Sequence, residues 1–77
     1  MAYDELGPVL KYHRKRAGLS RKAMSVLADV GQTAIYDVEH GKETVRLDTV
    51  KKLCAVLNIG LKWESPLMDE FRERKAT

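Results

Sequence analysis

The sequence predicts an all-α domain of four to five short helices, followed by one short strand. Three observations carry that prediction. Apolar side chains recur at spacings of three and four through residues 6–57, with charged residues between them. Gly18, Gly41 and Asn58 stand where three of these runs stop, as expected of residues that close a helix. The period falls to two only from Ile59 to Trp63, which is the pattern of a strand. A chain of 77 residues buries only about 60% of the surface it exposes when unfolded, so it has room for a single small domain.

The first helix spans roughly residues 6–17, with Leu6, Val9, Leu10, Tyr12 or His13, and Ala17 on its apolar side. Pro8 has to lie in its first turn, where the missing N–H is tolerated; either Asp4 caps a frayed start or Pro8 itself opens the helix. Ser20 is the N-cap of a second helix, roughly 21–28, whose inward face carries Met24 and Leu27 or Ala28. Val30 and Gly31 link it tightly to a third helix, Gln32 to about His40, with Ile35 and Val38 inward and Gly41 as terminator. A polar connection from Lys42 to Arg46 precedes a fourth helix, on which Leu47, Val50, Leu53, Cys54 and Leu57 set the period and which ends at Asn58.

Beyond it, Ile59, Leu61 and Trp63 alternate with Gly60, Lys62 and Glu64. A lone strand has no partner within the chain, and its free N–H and C=O groups favour antiparallel pairing with a second copy across a two-fold axis. Residues 1–58 therefore read as the helical domain, and residues 59–77 as a dimerisation strand and tail of the same domain. Ser65 and Pro66 resemble an N-cap with proline in the first helical position of a short last helix. Leu67, Met68 and Phe71 form its apolar side, and the chain after Arg72 reads as frayed.

Composition narrows the function classes. No apolar run approaches the roughly 20 residues that a membrane span requires. The opening Met-Ala-Tyr-Asp-Glu-Leu has no basic segment followed by an apolar stretch, and the single Cys54 cannot form an internal disulfide, so a reducing cytoplasm is expected. So short a chain leaves little room for a catalytic pocket and its supporting shell, which favours a binding module or small oligomeric regulator over an enzyme. His13 and His40 have no carboxylate or cysteine at metal-ligand spacing, and Ser20 has no adjacent base, so neither a metal nor a cofactor is expected. Lys and Arg exceed Asp and Glu by only three, but their placement is uneven. Between Glu5 and Asp29 there is no acid, while Lys11, Arg14, Lys15, Arg16, Arg21 and Lys22 fall in that window. Such a run is either a solvated helix face or an electrostatic footprint for phosphate.

Position within a motif bears on that choice. A short helix, a four-residue turn and a second helix form the helix-turn-helix, whose second helix enters the DNA major groove. Residues 21–40 fit its steric demands: Met24, Ala28, Val30, Ile35 and Val38 occupy buried positions, and Ser25 falls where the two helices come closest. Asp29 takes the turn position that prefers a left-handed backbone.

With Leu6-Gly7, Leu10-Lys11, Arg14, Gly18-Leu19-Ser20, Ile35, Glu39-His40-Gly41-Lys42, Leu47-Asp48-Thr49-Val50 and Leu53-Cys54-Ala55-Val56-Leu57, residues 6–59 resemble the Cro/CI (Xre-type, lambda-repressor-like) DNA-binding domain. Within that family, the stretch from Gly41 to Thr49 and then Asn58 to Trp63 is most similar to HipB-like antitoxins. That resemblance implies a final strand that pairs Ile59, Leu61 and Trp63 between two subunits. It also implies a homodimer that represses its own operon, binds a HipA-like kinase toxin and resides in the bacterial cytoplasm, at the nucleoid when on DNA. Short domains of this family also occur as phage repressors and restriction–modification controllers. A toxin-neutralising interaction module with little DNA binding is the reading from another class.

Site assignments follow from the motif. Gln32 and Thr33 open the recognition helix, where side chains meet base edges, and Gln suits adenine N6 and N7. Tyr36 faces a phosphate or a thymine methyl, and Asp37 holds a base-facing position that suits cytosine N4. Arg21 and Lys42, with Lys22 and Arg46 as weaker contributors, anchor phosphates on either side of the groove. The resemblance further implies that Arg14 and Glu39 meet as a structural ion pair between the first and third helices. Four departures from the family pattern stand out: Arg21 replaces Gln, Gly31 replaces a Ser cap, Asp37 puts an acid near phosphate, which is unfavourable unless it accepts from cytosine N4, and Leu27 and Tyr36 are more apolar than outward positions suggest.

Overall fold

A computed structural model describes residues 5–76. Five helices follow in order: α1 (Leu6–Arg16), α2 (Arg21–Ala28), α3 (Gln32–Glu39), α4 (Leu47–Leu57) and α5 (Met68–Ala76). The described residues form no strand. The fold is thus all-α with five helices, consistent with an Xre-like helix-turn-helix domain.

Helices α1 to α4 enclose one core of Leu10, Met24, Ala28, Ile35, Val38, Val50, Leu53 and Cys54. Leu10, Met24, Ile35 and Leu53 are its largest fully buried side chains, each worth about 1.5–3 kcal/mol on removal from water. The expected inward residues of the second to fourth helices hold with one exception, Leu47, which stays on the surface at the start of α4. Of the two alternatives on α2, Ala28 takes the inward place and Leu27 is 61% exposed.

On α1 the buried stripe runs through Gly7, Leu10 and Arg14, leaving Tyr12, His13 and Ala17 exposed. Hydropathy alone places this face differently because it treats every charged residue as outward, whereas Arg14 turns in toward the Glu39 carboxylate, the partner that the family resemblance implies. Pro8 does not open α1, which starts at Leu6 and carries the proline in its first turn. Asp4, the alternative cap, lies outside the described residues.

The turns follow from single residues. Ser20 caps α2 by accepting from the Ala23 N–H at 3.0 Å. Asp29 ends α2 in the left-handed conformation, φ 56° and ψ 49°, and the Val30 N–H then closes on the Ser25 carbonyl. Ser25 returns the contact, donating from Oγ to the Val30 carbonyl, which pins the turn between α2 and α3. Asn58 closes α4 in the same left-handed way, at φ 58°.

Past Asn58, residues 60–64 make no backbone–backbone hydrogen bond among the described residues, though the Trp63 carbonyl accepts from Arg72 Nη2 at 3.3 Å. The last helix differs from expectation at both ends. It starts at Met68, not at Pro66, because Ser65 first closes a turn, accepting from the Leu67 N–H at its hydroxyl and from the Met68 N–H at its carbonyl. It runs to Ala76 and is not frayed after Arg72, with ion pairs Asp69–Arg72 and Glu70–Arg74 at helical spacing, both 3.9 Å. Helix α5 is not among the helices that pack on one another, and the radius of gyration is 14.5 Å against about 11–12 Å for a compact chain of this length.

Candidate nucleic-acid interface

Helix α3 buries Ile35, Val38 and Glu39, and this turns Gln32, Thr33, Tyr36 and His40 outward. Gln32 and Thr33 occupy its first turn and are exposed. Gly31, its N-cap, offers no side-chain hydrogen bond, so the leading N–H groups of the helix are left to other acceptors. Tyr36 is held on both sides: its ring stacks on His40 with centroids 3.9 Å apart, and the Arg21 guanidinium lies 5.4 Å over its centre. His40 donates from Nδ1 to the Tyr36 carbonyl at 2.8 Å, which fixes the imidazole under the ring.

Asp37 is half-buried, and its Oδ2 lies 3.4 Å from Lys42 Nζ. The pairing offsets an acid on an otherwise neutral or cationic face. Lys42 and Arg46 line a cleft between α3 and α4 together with Asp37 and Thr49. Arg46 also grips Asp48, at 3.0 and 3.4 Å, and this hydrogen bonding draws the Asp48 carboxyl below the usual carboxylate range.

On the other side of α3, Arg21 and Lys22 open α2 and share with Gln32 an open cleft of about 460 Å³. Arg14 lines the same cleft, but its charge is taken up: Nε donates to Glu39 Oε2 at 2.6 Å, Nη2 to Oε1 at 3.0 Å, and Nη1 to the Leu19 carbonyl at 2.8 Å. The Glu39 carboxylate holds the guanidinium pKa above its ordinary value, against the opposing pull of burial. Arg21 reaches the same carboxylate more loosely, at 4.0 Å, and remains 42% exposed.

Helix α3 thus presents a polar and aromatic face between a cationic cleft and a second cleft whose cations, Lys42 and Arg46, pair with Asp37 and Asp48. A family model for the helix-turn-helix matches residues 10–63. The chain belongs to the Cro/CI-type helix-turn-helix family. It is a DNA-binding transcription regulator. No curated protein matches it significantly.

Within this helix-turn-helix domain, α2 and α3 are the motif, and α3 is its recognition helix. Of the side chains assigned from sequence, Arg21, Lys22 and Gln32 converge on one cleft, and Asp37, Lys42 and Arg46 on the other. Thr33 and Tyr36 face outward between them. Ile59, Leu61 and Trp63 lie apart from this face, lining an apolar groove of about 400 Å³ with Val9 of α1 and Val50 of α4. Leu61 and Trp63 remain 44% and 63% exposed. The sequence assignments omitted Lys11 and Lys15, which line the first cleft from α1. Their signal was the acid-free run between Glu5 and Asp29, which contains both.

Among the described residues no group of His, Cys, Asp and Glu is placed to hold a metal ion, and no helix is long and apolar enough to cross a membrane.

Proposed function

We propose that the chain represses transcription as a homodimer on an inverted-repeat operator. The observation that carries this reading is the flanking of α3 by a cationic cleft on one side and by Lys42 and Arg46 on the other, since a helix in the major groove lies between two phosphate backbones. Gln32 and Thr33 read base edges. Tyr36, braced by Arg21 and His40, meets a thymine methyl or a phosphate, and Asp37 accepts from cytosine N4 when Lys42 turns to the backbone. Arg21, Lys22, Lys42 and Arg46 bind phosphates and set register without reading sequence.

The homodimer rests on residues 59–63. Among the described residues, the backbone groups of 60–62 find no hydrogen-bond partner, and Leu61 and Trp63 stand in the open beside an apolar groove, a combination that a second copy's strand satisfies. Two recognition helices related by a dyad then enter successive major grooves about 34 Å apart. Similarity of Gly41–Thr49 and Asn58–Trp63 to HipB-like antitoxins supports the finer reading of an autoregulating antitoxin with a HipA-like kinase as partner. A neighbouring kinase gene whose expression arrests growth unless this chain is co-expressed would support it.

The decisive experiment is a binding competition on a randomised duplex library. Gln32→Ala should lose discrimination at one base position per half-site by roughly 1–3 kcal/mol, while Lys42→Ala weakens all sequences alike. If both variants shift every sequence by the same factor, α3 does not read bases. If the wild-type chain shows no salt-dependent DNA binding, a protein-interaction module is the better description.

A further inference from the structure

From the first cleft we infer that the DNA contact surface extends beyond the helix-turn-helix onto α1, where Lys11 and Lys15 form a second phosphate-binding rank behind Arg21 and Lys22. This rests on the DNA-binding reading and adds residues outside the motif to it. Lys11 and Lys15 are one turn apart on one face of α1 and line the same open cleft as Ser20, Arg21, Lys22 and Gln32. The cleft therefore begins where the recognition helix begins, so a phosphodiester strand running along that edge of the major groove passes over it. Of the cations lining it, Arg14 is occupied by Glu39 and the Leu19 carbonyl, and Arg21 is partly drawn toward the same carboxylate. Among the described residues Lys11, Lys15 and Lys22 have no carboxylate partner.

Three ammonium groups without counter-charge, converging on one concave surface, repel one another unless an anion lies between them. A groove this open, with polar and cationic walls, suits a polyanion that passes through it better than an enclosed small ligand. Double-stranded DNA seated on α3 brings such a polyanion to this place.

The test is the salt dependence of binding, measured on one duplex selected from a randomised library and on one of random sequence. Each phosphate contact contributes about 0.9 to the slope of log affinity against log salt. Lys11→Gln and Lys15→Gln should each make the slope shallower by about 0.9 per protomer, about 1.8 together, and weaken both duplexes by the same factor. Arg16→Gln removes the same charge from the same helix outside the cleft and should leave the slope unchanged. Lys15 is exposed, so its variant tests the inference even if the half-buried Lys11 proves necessary for folding. Wild-type slopes in both lysine variants, or an equal loss in Arg16→Gln, would overturn the α1 contact while leaving the DNA-binding reading in place. A wild-type chain that binds neither duplex would overturn both.

Discussion

Replacing Gly7 by alanine sets two physical effects against each other. Gly7 lies in the first turn of α1, and an exposed helical glycine changed to alanine ordinarily gains about 0.5–1 kcal/mol. Here an added Cβ would stand 2.6 Å from the Glu39 carbonyl oxygen, 2.8 Å from that of Val38 and 2.9 Å from the Glu39 carbonyl carbon. All three are backbone atoms at the end of α3, so no rotamer change relieves the contact, and α1 has to move off α3. Overpacking of this kind costs about 1–3 kcal/mol, and the rigid backbone favours the upper half of that range. The net loss is about 1–2.5 kcal/mol. For a domain of this size each kcal/mol shifts Tm by about 4–8 °C, so a drop of about 4–20 °C should appear in a thermal melt followed by circular dichroism. Gly60→Ala, where nothing lies within 4 Å, supplies the control and should hold Tm within about 3 °C. A Gly7→Ala variant as stable as the wild type, or more so, would show that propensity dominates and that α1 and α3 are not in this contact.

Other perturbations test separate parts of the structure. Arg14→Ala leaves the Glu39 side chain, 1% exposed, without its cation and should cost about 3–5 kcal/mol in urea unfolding, whereas Lys15→Ala stays within about 0.5; equal midpoints would mean the pair is not buried in solution. Burial pushes the Cys54 thiol above its ordinary range, so the fold favours the protonated form. That contribution is complete below the unfolded thiol pKa of about 8.5 and is lost as pH rises through the folded value. The stability difference between wild type and Cys54→Ala should therefore be flat through neutral pH and shift against the wild type in alkali; a difference that is flat throughout would place the thiol in water. Finally, the wild-type chain should sediment as a dimer at micromolar concentration, and Leu61→Pro, which removes a strand donor, as a monomer. A monomeric wild type would remove the strand pairing.

Much of the fold was legible because helix stops are written in single residues. Gly18 and Gly41 have positive φ, and Asp29 and Asn58 share that conformation despite carrying side chains. The α1 face was not legible from hydropathy, because a buried arginine looks like a surface one until its partner, 25 residues away, is brought to it. Leu6-Gly7 was visible as a family pattern, but its reason is a backbone-to-backbone approach that no local spacing reveals. The continuation of α5 was written in the Asp69–Arg72 and Glu70–Arg74 spacings, which were outweighed by nearness to the terminus. Lys11 and Lys15 escaped assignment for a geometric reason: only the folding of α1 beside α2 and α3 puts them on one surface with Arg21 and Gln32.

The buried pair links stability to recognition. Arg14 ties α1 to the last turn of α3 through Glu39 and to the α1–α2 connection through the Leu19 carbonyl, so the angle of the recognition helix is set from its C-terminal end. The same carboxylate reaches Arg21 at 4.0 Å, and that guanidinium lies over Tyr36, which rests in turn on His40. Arg21 is therefore poised between an anion inside the protein and one outside it. Its hold on Glu39 is long and solvent-screened, worth no more than about 1 kcal/mol, whereas a direct guanidinium–phosphate hydrogen bond is short and charge-assisted. With the phosphate contact proposed for Arg21, exchange toward DNA would leave Glu39 still satisfied by Nε and Nη2 of Arg14, so that one arginine holds the helix in place while the other can leave.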